Sequence, residues 1–114
     1  MGFSAGGGVA VNSALEHDSL SRPNFVAGIY PGYRIVNSIP DNLPPLFIVT
    51  ADDDDAVAPI SAARLYETWH KASKSVELHI FANGGHGFGM KNQNLLSDQW
   101  NGLFKNWMVA QGYI

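Results

Sequence analysis

The six residues Leu46-Phe47-Ile48-Val49-Thr50-Ala51 constrain the fold of this chain more than any other stretch. Side chains alternate between the two faces of a strand, so a near-continuous β-branched and aromatic run needs a dry layer on both sides. That is the pattern of an interior strand in a parallel sheet. Parallel strands require long crossovers, so helices are expected before and after it.

The rest of the chain supplies them. Ile60, Ala63, Tyr66 and Trp69 recur at helical spacing, which predicts a helix near 59–74. Val76 to Ala82 alternates and reads as a strand, with Val76, Leu78, Ile80 and Ala82 facing one way. Phe25 to Tyr30 reads as a short buried strand stopped by Pro31-Gly32, and residues 33–45 as an irregular, proline-rich connection. Leu96, Trp100, Leu103, Phe104 and Trp107 predict an amphipathic helix near 95–111 that ends by Gly112. A first helix is expected after Ala5, with Val9, Val11 and Leu15 as its apolar contacts. Gly6, Gly7 and Gly8 would weaken its first turn by ~1 kcal/mol each relative to alanine. The order helix, strand, strand, helix, strand, helix predicts an α/β fold of about three parallel strands with flanking helices, one domain over 1–114.

Composition narrows the function. A net charge of −3 over 114 residues, with no basic cluster, argues against nucleic acid and anionic membrane as partners. No apolar run approaches the ~20 residues of a membrane helix. With no cysteine, thiolate metal sites and a cysteine nucleophile are excluded. The start has no basic segment ahead of an apolar core, which fits a cytoplasmic protein as the sequence stands, with export open if translation begins upstream.

Residues Gly2-Phe3-Ser4-Ala5-Gly6 form a G-x-S-x-G pattern, which places a serine on a sharp turn between a strand and a helix. A serine nucleophile needs a base, and the base needs an acid to orient it. Both occur downstream, each directly after a predicted strand. The run Asp52-Asp53-Asp54-Asp55 follows Leu46–Ala51, and His86, in FANGGHGFGM, follows Val76–Ala82. Open α/β sheets put their sites at such carboxyl ends. Ser, then Asp, then His is also the chain order of α/β-hydrolases.

Other readings of these motifs are weaker. The glycines near Ser4 lack the G-K-[ST] of a phosphate cradle. Four consecutive carboxylates lack the alternation of a calcium loop. His17, His70 and His79 read as surface or partly buried residues, and Trp69, Trp100 and Trp107 as core packing. Trp69 or Met90, near the mouth of a site, would be the candidates for substrate contact.

The stretches GFSAGG, RPNFVAGIYPGY, PPLFIVTADDDDAVAP and VELHIFANGGHGFGM together resemble the C-terminal half of a carboxylesterase-type α/β-hydrolase, of the acetyl-esterase and xylan-esterase-like group. The resemblance implies hydrolysis of a small acyl ester through an acyl-enzyme, without a cofactor or metal. By motif position, Ser4 would attack, His86 would act as base and then acid, and the Ala5 N–H would donate to the oxyanion. The family's Asp-x-x-Val pattern fits Asp54 to Val57 and selects Asp54 as the orienting acid, with Asp53 and Asp55 as neighbours that the run leaves ambiguous. Gly8 stands where the family commonly has histidine. The resemblance also implies further strands before the serine, the serine's own strand included, and an HGG-type loop with a second oxyanion donor. None of these is expected within the 114 residues. An open sheet edge that invites self-association is expected in their place. A peptidase or dienelactone-type hydrolase stays within the same class. The alternative is a non-catalytic remnant or subunit, inactive alone.

Overall fold

The computed structural model describes residues 1–33 and 38–114. The expected irregular connection at 33–45 therefore lies in part, at 34–37, outside the described residues. Among the described residues, four strands, β1 (Gly2–Phe3), β2 (Val26–Ile29), β3 (Leu46–Ala51) and β4 (Val76–Phe81), form one parallel sheet in the order β1-β2-β3-β4. Three helices accompany them: α1 (Ala5–Leu15), α2 (Ile60–Lys71) and α3 (Trp100–Ala110), the last preceded by a 3-10 turn at Leu96–Gln99.

β3 behaves as its composition requires. It pairs with β2 on one side and β4 on the other, and all six of its residues are buried. Leu46 and Ile48 join a core with Val11, Ala14 and Leu15 of α1 and Ala62, Leu65 and Trp69 of α2. Phe47, Val49 and Ala51 face the opposite way and join Ala27, Ile29, Trp100 and Trp107. The strand thus serves two cores, each of its large apolar side chains contributing roughly 1.5–3 kcal/mol on burial.

Several details differ from the sequence reading. The strand before the serine is present as β1, a two-residue stub with Gly2 opposite Gly28 and Phe3 opposite Ile29. Two residues are too few to show a pattern of their own, and the stub is defined by its partner. The edge expected to lie open along β2 is thus partly paired, and all four β2 residues are buried.

Val9 is 69% exposed; the inner stripe of α1 is Val11, Ala14 and Leu15. On α2 the inner stripe is Ala62, Leu65 and Trp69, leaving Ile60 and Tyr66 outside. The Trp69 indole sets that rotation, since it is fully buried with Nε1 donating to the Pro44 carbonyl at 2.8 Å. This also removes Trp69 from substrate contact. Leu96 is exposed because it sits in the 3-10 turn, off the periodicity of α3. Ile80 is likewise half exposed on β4.

Gly8 does more than loosen α1. It is buried, and a Cβ there would run into the Gly32 carbonyl oxygen, a backbone atom that cannot step aside. Gly8→Ala is expected to destabilise the chain by about 1–3 kcal/mol, the usual cost of overpacking. Gly102 is the control. It lies on the exposed side of α3 with nothing within 4 Å of a built Cβ, so Gly102→Ala should stabilise by about 0.5–1 kcal/mol. Urea titrations of the two variants against the parent chain measure both.

Candidate active site

The site forms where β1, β3 and β4 end. Ser4 follows β1 and precedes α1 with φ 49° and ψ −118°, a conformation that L-residues avoid. Three backbone hydrogen bonds hold it there. The Ser4 N–H donates to Ile29 O at 2.9 Å, and the Ser4 carbonyl accepts from Gly8 N–H at 3.0 Å and Gly32 N–H at 3.2 Å. The turn is so tight that a Cβ on Gly2 would collide with the Gly6 carbonyl, which explains the first glycine of the pattern. The strand side of this turn is therefore anchored by β2, although only three residues precede Ser4.

The structure brings Ser4, His86 and Asp54 together. Ser4 Oγ lies 2.8 Å from His86 Nε2, and His86 Nδ1 lies 2.8 Å from Asp54 Oδ2. The other oxygen of Asp54 accepts from the N–H groups of Ala56 at 2.9 Å and Val57 at 2.8 Å. The Asp54 side chain is wholly buried, while His86 retains 23% exposure. Burial alone would raise the Asp54 pKa, but the Val57 N–H, the His86 ring and the Ala56 N–H outweigh it and hold the carboxyl below its ordinary range. A charged Asp54 accepts a hydrogen bond from Nδ1–H, so Nε2 carries a lone pair that accepts from the Ser4 hydroxyl. Within the acidic run, Asp54 is the residue bonded to the ring. Asp52 and Asp55 are exposed.

The loop after β4 delivers the imidazole through left-handed glycines, with φ 67° at Gly85 and 77° at Gly87. Two aromatic residues not selected from the sequence brace it. Tyr30, itself at φ 38°, sets its ring edge-on to His86 with centroids 5.0 Å apart, and edge-on to the buried Phe88 at 4.7 Å. Burial raises the Tyr30 pKa, so it remains a phenol. Trp100 Nε1 donates to the Gly89 carbonyl at 2.7 Å. The signal for Tyr30 was its place at the end of a buried strand, immediately before Pro31-Gly32.

The remaining candidates take no part in this cluster. His17 donates to Ala14 O, His70 stacks on Tyr66 and His79 pairs with Glu77. Met90 is 71% exposed. Among the described residues, no group of three or more His, Cys, Asp or Glu could hold a metal ion, and no helix is long and apolar enough to cross a membrane.

Residues 26–110 match the prolyl oligopeptidase family, a span that includes Asp54 and His86 and begins after Ser4. The chain belongs to that family. No curated protein matches it by sequence. Among solved structures, it is similar to an α/β-hydrolase enzyme from a Medee basin deep-sea metagenome library, at 26% identity and a TM-score of 0.78, covering 94% of this chain and 51% of that one. It is also similar to the acetyl ester-xyloside bifunctional hydrolase of Caldicellulosiruptor lactoaceticus, at 24% identity and a TM-score of 0.86, covering 99% and 56%. A carboxylesterase from Lactobacillus plantarum superposes with a TM-score of 0.81 at 18% identity, covering 99% and 58%. The fold is that of the α/β-hydrolases, and this family member spans a little over half the length of those structures.

The depressed pKa of Asp54 has a consequence for acid stability. Its contribution is fully present above the pKa of an unfolded aspartate and is lost as pH falls through the lower folded value. Between about pH 5 and pH 2, the parent chain should therefore lose more stability than Asp54→Asn does. Urea midpoints for the two proteins across that range test this; parallel slopes would count against a depressed Asp54.

Proposed function

We propose that this chain carries the catalytic triad of a serine hydrolase that cleaves small acyl, acetyl-type esters. The observation that supports it is the unbroken hydrogen-bonded path from Ser4 Oγ through His86 to Asp54. Ser4 Oγ attacks the ester carbonyl carbon while His86 Nε2 takes its proton. The carbonyl oxygen, now negative, lies at the N-terminus of α1, where first-turn N–H groups have no partner within the helix. Ala5 N–H is the proposed donor there. Collapse of the tetrahedral adduct breaks the bond to the alcohol, which leaves with the proton from Nε2. Water then attacks the acyl group on Ser4, losing a proton to His86; collapse of this second adduct breaks the bond to Ser4 Oγ, which regains the proton from Nε2, and the acid departs. Asp54 holds the imidazole in one tautomer and stabilises its charged form throughout.

Two of the similar structures are ester hydrolases while the family is one of oligopeptidases, so an ester and an amide substrate both belong in the assay. A second reading has its own support. The chain covers 51–58% of the similar structures, and its 114 residues contain no His-Gly-Gly sequence of the kind that the resemblance links to a second oxyanion donor. Loss of one such donor costs ~10²–10³ in rate in serine hydrolases. On this reading the 114 residues alone hold an assembled triad but show little or no turnover.

Three measurements separate the possibilities: labelling by a fluorophosphonate, turnover of p-nitrophenyl acetate, and turnover of an aminoacyl p-nitroanilide. Ser4→Ala should abolish labelling and turnover. Asp54→Asn should lower kcat by up to ~10⁴, because it upsets the tautomer and orientation of His86. Ser4-dependent labelling with negligible turnover supports the second reading. Absence of any Ser4-dependent reaction would remove the hydrolase proposal for this chain, and a crippling effect of Asp55→Asn in place of Asp54→Asn would move the acid.

A further inference from the structure

Asp53 stands next to the proposed acid and reaches the same loop at a different atom. Its Oδ1 accepts from the Gly85 N–H at 2.7 Å, and its Oδ2 lies 3.5 Å from Asn83 Nδ2. Gly85 immediately precedes His86. The two neighbouring carboxylates thus address one histidine twice, Asp54 at the ring and Asp53 at the backbone just ahead of it.

The backbone contact matters because the residues on either side of His86 have no side chains to pack. Gly85 and Gly87 flank His86 in the left-handed region, and a built Cβ on either would meet nothing within 4 Å. Packing therefore does not fix these two residues, and a glycine backbone has many alternatives to fall into. Asp54 limits rotation of the ring, but it cannot hold the Cα of His86 while the glycines on both sides pivot. Tyr30 and the buried Phe88 brace the ring and the far side of the loop, and polar contacts hold the backbone ahead of His86. Gln93 Nε2 donates to Gly84 O at 3.2 Å, a longer bond to a neutral acceptor. The Asp53 bond is shorter and has an ionised acceptor, the stronger type. The Gly85 N–H is also the chief reason that the Asp53 pKa lies below its ordinary value, so this acceptor stays charged around neutrality. Asp53 is itself well seated, since the turn that carries it is tied to the end of β4 by Asp52 N–H donating to Phe81 O at 2.7 Å.

We propose that Asp53 is a positioning residue: its carboxylate fixes the Gly85 backbone and thereby keeps the His86 imidazole within reach of Ser4. This rests on the reading of Ser4 and His86 as nucleophile and base. A displacement of about 1 Å between reacting groups can cost 10²-fold in rate, so a mobile loop would be felt in the chemistry without any change in the triad itself.

The test uses the 114-residue chain with three substitutions, Asp53→Ala, Asp53→Asn and Asp55→Ala, and two readouts that need no turnover. Amide hydrogen exchange reports the Gly85 N–H, and imidazole ¹⁵N shifts report whether His86 keeps a single tautomer. Asp53→Ala should speed Gly85 exchange by about tenfold or more and average the His86 shifts, at unchanged global unfolding midpoint. Asp53→Asn keeps an oxygen that can accept and should restore most of the protection. Asp55→Ala should change neither. Fluorophosphonate labelling of Ser4 should slow about tenfold in Asp53→Ala. Unchanged exchange or unchanged His86 shifts in Asp53→Ala would overturn the proposal, as would an equal effect of Asp55→Ala or a labelling rate that ignores a loosened Gly85. A parent chain that does not label at all, while Asp53→Ala still frees Gly85 and His86, would uphold the placement and refute the hydrolase reading instead.

Discussion

The arrangement depends first on the backbone of Ser4. Its left-handed conformation costs of order 1–3 kcal/mol, and a backbone hydrogen bond returns about 0.5–1.5 kcal/mol net. Three such bonds converge on this one residue, from Ile29, Gly8 and Gly32. Together they are sufficient to keep the strain in place. Two of them involve the segment that follows or ends β2, so the serine turn is held by its neighbouring strand more than by the two residues of β1. Once this turn is fixed, the direction of α1 is fixed, and with it the placement of the helix N-terminus beside the hydroxyl.

The second requirement is a dry, stiff floor under His86. Tyr30, Phe88 and Trp100 provide it on the α3 side of the sheet, and Phe3 closes against Tyr30 and Trp100 with ring centroids 6.1 and 5.7 Å away. A low-polarity surround strengthens the Asp54–His86 interaction. The same surround would penalise a buried Asp54 charge, which is offset by two backbone N–H groups and the ring itself. The Asp54 carboxylate is therefore satisfied at both oxygens, and its burial restricts geometry at no net loss of charge.

Much of this was legible in the residues. The LFIVTA run demanded two apolar layers, and β3 has two. The order of the serine, the acidic run and the glycine-flanked histidine pointed to Ser4, one aspartate of the run and His86, and the resemblance selected Asp54, which the structure places against the ring. What could not be read depended on partners distant in sequence. A two-residue strand has no period, so β1 exists only through Gly28 and Ile29. On α2, two stripes share Trp69, and the choice between them follows from the Pro44 carbonyl that receives the indole N–H. Four identical carboxylates in a row carry no local information about aim. Only the turn that begins at Asp52 separates the one that meets the ring from the one that meets Gly85.

The two halves of the site are stabilised by different means. Ser4 is strained but over-determined, its backbone locked by three bonds within the sheet and α1. His86 is held differently, its ring braced by Tyr30 while the two glycines that flank it meet no neighbours and the polar contacts at Asp53 and Gln93 are exposed to water. Local opening follows the weaker restraint. On these restraints, a break in the Ser4–His86 hydrogen bond is expected to begin at the histidine loop, with the serine turn still formed. This division is compatible with the proposed serine hydrolysis. On the proposed reading, Ser4 would keep one attack direction, whereas His86 would first face the serine, then the departing alcohol, then water. A rigid serine with a histidine held by a few specific polar contacts meets both needs, and the quality of those contacts decides how far the loop can drift between steps.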